Sequence, residues 1–173
     1  DVLLDGVSIG TTTANGVGVW SYDHTGTTLS DGSYVVTATA TDSAANTSVA
    51  SSDFNITIDT GIPAAPSVTA ISDDNGTASD GITNDSTLII SGTAEANSTV
   101  TVLLDGGSIG TTTANGAGAW SYDYTGTTLS DGSYVLTATA MDAGANTSTV
   151  SSDFNITIDT GVPAAPSITA ITN

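Results

Sequence analysis

The sequence contains no lysine and no arginine, against 18 aspartate and glutamate residues, and its formal net charge at pH 7 is −18. Nucleic-acid binding relies on cationic side chains that neutralise phosphates, so this composition excludes it. Unaided binding to an anionic membrane surface is excluded for the same reason. Because no carboxylate can pair with Lys or Arg, a partly buried one must find a metal ion, a backbone N–H or a proton.

Cysteine is also absent, so no disulfide stabilises the chain. A domain of about 100 residues can bury a sufficient core without one. The sequence has no run of 18 apolar residues, so we expect no direct insertion into a membrane. The absence of cysteine therefore does not argue for the cytosol, and it fits an extracellular or bacterial cell-surface protein that is stabilised in another way.

Groups suited to catalysis are scarce. The only histidine is His24, and the equivalent position of the second copy of the sequence holds Tyr124. Without Lys or Cys, acid–base and nucleophilic chemistry would rest on carboxylates alone. A glycosidase can work with two carboxylates, but it needs aromatic platforms for sugars, and aromatic residues make up 5% of the chain. The sequence therefore predicts a protein that is not an enzyme.

The dominant positive feature is an internal repeat with a period of 100 residues. Residues 1–73 align with 101–173, and 15 of the 73 positions differ. Such a period predicts a tandem array with one folded domain per repeat. We predict that 1–61 is the C-terminal part of a first repeat, that 62–161 is a complete repeat, and that 162–173 is a linker and the first strand of a following repeat.

Period-two alternation and Gly-containing turns predict an all-β fold. Asp-Gly and Asn-Gly pairs supply the positive φ that tight hairpins require. Seven strands, A to G, are expected in the complete repeat at about 67–72, 86–92, 98–105, 107–114, 117–123, 133–142 and 148–159.

The segment LSDGSY at 129–134 resembles the tyrosine corner of immunoglobulin-like sandwiches. The side chains that would then face the core are Tyr134, Leu136, Ala138 and Ala140. We expect Trp120 in strand E, and its counterpart Trp20, to be buried core anchors and not ligand-stacking residues.

The order of ITNDSTLIISGTAEANSTVTVLLDG, GAWSYDYTGTTLSDGSYVLTATA and TIDTGVPAAP resembles the bacterial immunoglobulin-like repeats of giant calcium-dependent surface adhesins. These include the repeats-in-toxin and biofilm-associated types. The resemblance implies tandem seven-stranded Greek-key β-sandwiches that act as extenders, project an adhesive domain from the cell and are stiffened by calcium at their joints. The family's Asp-x-Ala-Gly-Asn turn appears altered, as Asp42–Asn46 and Asp142–Asn146.

An immunoglobulin-like topology would gather acidic residues at the two ends of each domain. Strand A to B, C to D and E to F turns lie at the exit end, and B to C and F to G turns lie at the entry end. Calcium takes 6–8 oxygen ligands, which Asp, Asn and backbone carbonyls provide, whereas zinc and copper prefer Cys and His. The alternative is that each Asp forms a turn and solubilises the surface. The predicted Ca²⁺ ligands are Asp59, Asp73, Asp74, Asp80, Glu95, Asp105, Asp131, Asp142, Asn146 and Asp159, with Asn173 in the place of Asp73 in the second copy.

Two alternatives to a spacer remain. The threonine-rich segment 110–116 could bind carbohydrate, ice or a neighbouring adhesin, although the repetition argues against a recognition role. Residues 1–60 lack strands A and B, so either the chain is a window from a longer protein or fibre, or a neighbour supplies strands. The expected partners are neighbouring repeats and, in a fibre, other copies of the chain, with 161–173 able to offer a strand A.

Overall fold

A computed structural model describes residues 1–75, 77 and 80–170. Every regular element in this part of the chain is a β-strand, which confirms the all-β class. No helix there has the length and apolar character needed to cross a membrane. The chain divides into two compact units, Asp1–Gly61 (unit 1) and Ile62–Asn173 (unit 2).

Unit 1 is a single antiparallel sheet. Its order is β2-β1-β3-β4. The Asp5–Gly6 turn between the first two strands has φ of 49° and 77°, the positive values that a two-residue hairpin demands. The strands are β1 (Val2–Leu4), β2 (Val7–Gly10), β3 (Gly32–Ala38) and β4 (Phe54–Ile58).

Unit 2 is a sandwich of two sheets. One has the order β10-β7-β5 and the other β6-β12-β11-β8-β9, and all pairs are antiparallel except β6 with β12. The strands are β5 (Ser67–Ile71), β6 (Ile82–Thr83), β7 (Ile89–Thr93), β8 (Thr99–Leu104), β9 (Gly107–Thr113), β10 (Ala119–Asp123), β11 (Gly132–Met141) and β12 (Phe154–Ile158).

The core of unit 2 lies between these sheets and follows the alternation of the sequence. Leu88 and Ile90 reach it from the β7 side, while Val100 and Val102 of β8 reach it from the opposite sheet, all with no exposed surface. Leu136 and Ala138 of β11 are equally buried, as predicted. Apolar residues at every second position therefore place one face of each sheet in the core.

Two features of the topology add to the predicted strand pattern. Strand β9, expected as strand D, lies beside β8 in the five-stranded sheet, because the Asp105–Gly106 hairpin is too tight to carry the chain to the other sheet. Strand β6 was not predicted. It lies in the connection between β5 and β7 and extends the large sheet by pairing with β12.

The tyrosine corner is confirmed. The hydroxyl of Tyr134 donates to the carbonyl of Ser130 at 3.0 Å, and Tyr34 makes the same bond to Ser30 at 2.9 Å. This bond fixes the turn that leads into β11 and, in unit 1, into β3.

The prediction that both tryptophans are buried is right for Trp120 and wrong for Trp20. Trp120 is 4% exposed and Trp20 is 47% exposed. Trp120 is covered by β7, where a Cβ on Gly92 would lie 2.6 Å from Cζ2 of the indole. The described part of unit 1 has no strand in that position, so the same side chain stays open to solvent.

Residues 161–170 form no strand and are exposed. The equivalent positions of the first copy, 61–70, include most of β5, which forms through hydrogen bonds to β7. The segment 167–170 has no such strand beside it among the described residues. Positions 171–173, including Asn173, lie outside the described residues.

Candidate functional site

The carboxylate of Asp131 holds the end of β12. Its Oδ1 accepts hydrogen bonds from the backbone N–H (3.1 Å) and the hydroxyl (2.8 Å) of Thr160. The Thr160 hydroxyl, and then its N–H, hold the pKa of Asp131 below its usual value. Asp31 and Thr60 repeat both bonds at the same distances in unit 1. We call the Asp131–Thr160 pair, and the equivalent Asp31–Thr60 pair of unit 1, the exit latch.

Asp159 and its counterpart Asp59 lie next to the exit latch. Oδ1 of Asp159 accepts from the N–H of Gly161 at 3.0 Å, and Asp59 accepts from Gly61 at 3.1 Å. The residues that lead into each PAAPS linker are therefore held by two carboxylates, one from the turn before the tyrosine-corner strand and one from the last strand.

Asp73, Asp74 and Asp80 lie in the connection between β5 and β7. The Asp73 carbonyl accepts from the hydroxyl of the buried Thr83 at 2.5 Å, and Oδ1 of Asp80 accepts from the N–H of Ile82 at 2.9 Å. Thr83 also accepts, through its carbonyl, from the N–H of Asp159 at 3.0 Å. Thr83 thus brings Asp73 and Asp159 to the same end of unit 2, as the topology predicted.

Asp105 is part of a hairpin turn and is locked to β11. It has φ of 49°, its N–H donates to the carbonyl of Val135 and its Oδ1 accepts from the Val135 N–H, both at 2.8 Å. Asp5 makes the same pair of bonds with Val35. The carboxylate therefore performs a structural task in both repeats.

Glu95, Asp142 and Asn146 lie at turns of the opposite end. The carbonyl of Glu95 accepts from the N–H and hydroxyl of Ser98, at 3.2 and 2.7 Å. Asp142 accepts from the backbone N–H and the side-chain amide of Asn146, at 2.9 and 3.0 Å. The side-chain amide of Asn146 is the main reason that the pKa of Asp142 is lowered.

The predicted ligands in unit 2 are accordingly spread over both of its ends, and Asp59 lies in unit 1. Several of their carboxylates accept a backbone N–H, namely those of Asp59, Asp80, Asp105, Asp131, Asp142 and Asp159, whereas Asp73 and Glu95 accept through their backbone carbonyls. Within residues 1–75, 77 and 80–170, no three His, Asp or Glu side chains form a group that could hold a metal ion. Carboxylate oxygens of the kind that coordinate calcium are still present. Both hydrogen bonds to Asp131 use Oδ1, and no described group donates to its Oδ2.

Sequence reasoning missed the local role of Asp-x-Thr triplets. Asp123 accepts from the N–H and hydroxyl of Thr125 at 2.9 and 2.6 Å, and Asp85 does the same with Thr87. The Thr125 hydroxyl lowers the pKa of Asp123. The triplet itself was the available signal, because Asp commonly caps the N–H two residues on.

Unit 2, with a three-stranded sheet packed on a five-stranded one and a tyrosine corner, is an immunoglobulin-like sandwich. The match to known families agrees and is more specific. Residues 2–60 and 62–160 each match the family described as Bacterial Ig-like domain, and the chain belongs to that family.

Three solved structures show weaker similarity. The fibronectin(III)-like modules of Clostridium thermocellum CbhA are 19% identical (TM-score 0.40, 75% of this chain and 64% of that one). The BSP domain of a biofilm associated protein is 26% identical, with a TM-score of 0.39, and the match covers 78% of this chain and 20% of that one. A 1.5-MDa bacterial ice-binding adhesin is 30% identical, with a TM-score of 0.36, and the match covers 73% of this chain and 41% of that one. The chain thus spans less than two thirds of each of these chains. No curated protein matches it significantly.

Proposed function

We propose that the chain is a non-enzymatic extender segment of a bacterial cell-surface or secreted adhesin, in which calcium stiffens the joints between repeats and an adhesive domain is held away from the cell. The observation that carries the proposal is the recurrence of one bacterial Ig-like domain at a period of 100 residues. The domain is duplicated, but the single histidine of the first copy is replaced in the second. This pattern fits a mechanical role better than an active site repeated in both copies.

The exits of the repeats support a mechanical role. The exit latch recurs with the same atoms and distances in both units. It directly precedes GIPAAP at 61–66 and GVPAAP at 161–166, whose prolines restrict the backbone to extended conformations. A chain that leaves a domain from a fixed point into a stiff linker transmits orientation better than one that leaves through a loose loop.

The charge of the chain supports calcium as the stiffening ion. All 18 acidic residues lack a Lys or Arg counter-charge, so bringing two acidic ends together costs electrostatic energy unless cations are bound or the salt concentration is high. Calcium accepts irregular sets of oxygen ligands, including carboxylates that already accept one hydrogen bond. A cation shared by two domains would favour one interdomain angle and raise the stability of both.

The test is small-angle scattering and calorimetry on the full chain in calcium, in EGTA and in EGTA with sodium chloride at matched ionic strength. We expect calcium to lengthen the particle and raise the melting temperature, and the sodium chloride sample to resemble EGTA. Scattering curves that coincide in calcium and EGTA contradict calcium stiffening. An effect of sodium chloride equal to that of calcium assigns the change to screening.

Direct recognition by the threonine-rich segment is a weaker candidate. The hydroxyl of Thr112 already donates to the carbonyl of Ser121 at 2.7 Å and is not free to face a ligand. The spacer proposal expects no signal from the chain on a glycan array or in an ice-affinity assay. Saturable binding in either assay would move the function from spacing to recognition.

A further inference from the structure

The side chain of Asn115 closes the turn between β9 and β10. Its Oδ1 accepts hydrogen bonds from the backbone N–H groups of Ala117 at 2.9 Å and Ala119 at 3.1 Å. The equivalent turn of unit 1 repeats both bonds at 3.1 and 3.0 Å, with Asn15 as the acceptor. In each copy a glycine follows the asparagine, and both residues of the pair are exposed. Two N–H groups therefore polarise the same side-chain amide in both copies.

The nitrogen atoms of this turn are not engaged. In the part of the chain that the structure describes, the N–H of Gly116 donates to no acceptor, and neither does Nδ2 of Asn115. A Cβ on Gly116 would have no atom within 4 Å, so nothing crowds the turn on that side. A backbone nitrogen that could attack, an amide carbon that could be attacked and an amine that could leave thus lie together in one exposed turn.

Other asparagines lack this combination. The N–H that follows Asn97 belongs to Ser98, and it donates to the carbonyl of Glu95 at 3.2 Å. Asn75 also precedes a glycine, but its Nδ2 donates to Oδ1 of Asn84 at 2.8 Å. A hydrogen bond that must be broken before reaction raises the barrier, so either the attacking group or the leaving group is restrained at these positions.

We propose that Asn115 and Asn15 are modification sites, at which the folded turn promotes spontaneous deamidation. The nitrogen of Gly116 loses its proton to hydroxide and attacks Cγ of Asn115, which forms an N–Cγ bond and places negative charge on Oδ1. The N–H groups of Ala117 and Ala119 already donate to Oδ1, so they stabilise this charge as an oxyanion hole does. The Cγ–Nδ2 bond then breaks, ammonia leaves with a proton taken from water, and a cyclic imide remains.

Water completes the reaction by opening the imide on either side. Cleavage of the new N–Cγ bond leaves aspartate, whose charged carboxylate accepts the same two N–H groups more strongly. Cleavage of the backbone C–N bond leaves isoaspartate, which adds a carbon to the main chain and disturbs the 2.8 Å bond from the N–H of residue 115 to the Ala119 carbonyl. Each event adds a negative charge to a chain that already carries −18. The inference does not depend on calcium or on a role in adhesion.

The experiment incubates the full chain at mildly alkaline pH and measures deamidation at each asparagine by chymotryptic peptide mapping and mass spectrometry. A blocked synthetic peptide of residues 113–118 gives the rate of the same sequence without the folded hairpin, because so short a segment does not form one. We expect Asn115 and Asn15 in the folded chain to react about tenfold or more faster than the peptide, since a positioned oxyanion donor contributes at least this much.

The G116A variant is the matched control. The fold has room for the added methyl group, but the methyl group crowds the attacking nitrogen. The variant should slow the reaction at Asn115 by about tenfold and leave Asn15 unchanged in the same molecule. Three results overturn the proposal. They are a rate at Asn115 no greater than that of the peptide, a rate at Asn97 equal to that at Asn115, and an unchanged rate at Asn115 in G116A, which would exclude the imide.

Discussion

Replacing Gly92 with alanine tests how the sandwich of unit 2 closes over Trp120. Gly92 is buried in β7 and lies between the backbone of β5 and the ring of Trp120. An added Cβ would lie 2.6 Å from Cζ2 of the ring, against an optimum of about 3.5–4.0 Å for carbon atoms. The ring or the strand must therefore move by about 1 Å.

The expected cost follows from two terms. Overpacking of this size costs about 1–3 kcal/mol. The overlap with the Ser67 carbonyl disturbs the first β5–β7 pair, and a lost hydrogen bond adds about 1 kcal/mol. We expect G92A to lower the free energy of unfolding of unit 2 by about 2–4 kcal/mol, which corresponds to a fall in melting temperature of about 10–30 °C for a domain of this size.

The assay is urea unfolding followed by tryptophan fluorescence in a W20F background, so that only Trp120 reports. G116A is the matched control, because a Cβ on Gly116 would have no atom within 4 Å, and its effect should stay within about 0.5 kcal/mol. If G92A were as mild as G116A, the close packing of Trp120 against β7 would be wrong.

Three further predictions concern the same framework. Y134F removes the bond to Ser130 and should cost unit 2 about 1 kcal/mol in urea unfolding, while a neutral result would deny the tyrosine corner a role in stability. I156A, at a side chain 1% exposed, should cost about 2–5 kcal/mol, and I56A at the partly exposed equivalent should cost clearly less; equal losses would contradict the deeper burial of Ile156. The pKa values of Asp123, Asp131 and Asp142 are lowered in the fold, so their contribution to stability is present above the ordinary carboxyl pKa and is lost as the pH falls through the lowered values. Urea midpoints measured from pH 7 to pH 2 should therefore drop below about pH 4, less steeply in D142N, and an unchanged pH profile in D142N would remove Asp142 from this account.

Alternation of apolar and polar residues was enough to predict the all-β class and most of the core. Leu88, Ile90, Leu136 and Ala138 are buried because period two assigns them one face of a strand, and that is a local property. The Leu-Ser-Asp-Gly-Ser-Tyr pattern likewise predicted the tyrosine corner, because the Tyr134 bond joins residues only four apart.

Features that depend on distant neighbours were less predictable. Trp20 and Trp120 occupy nearly identical local sequences, and only the presence of β7 separates an exposed side chain from a buried one. The carboxylates show the same limit. An Asp in a turn looks the same whether it binds a cation or caps an N–H, and the capping partners of Asp105 and Asp131 lie 30 and 29 residues away.

The most direct test of calcium stiffening is single-molecule energy transfer across the joint of the full chain. The absence of cysteine allows dyes to be placed at S52C and S152C, both exposed positions, one in each unit. The account predicts one narrow distance distribution in calcium that broadens in EGTA and narrows again when calcium is restored. Distributions of equal width in calcium and EGTA would contradict it.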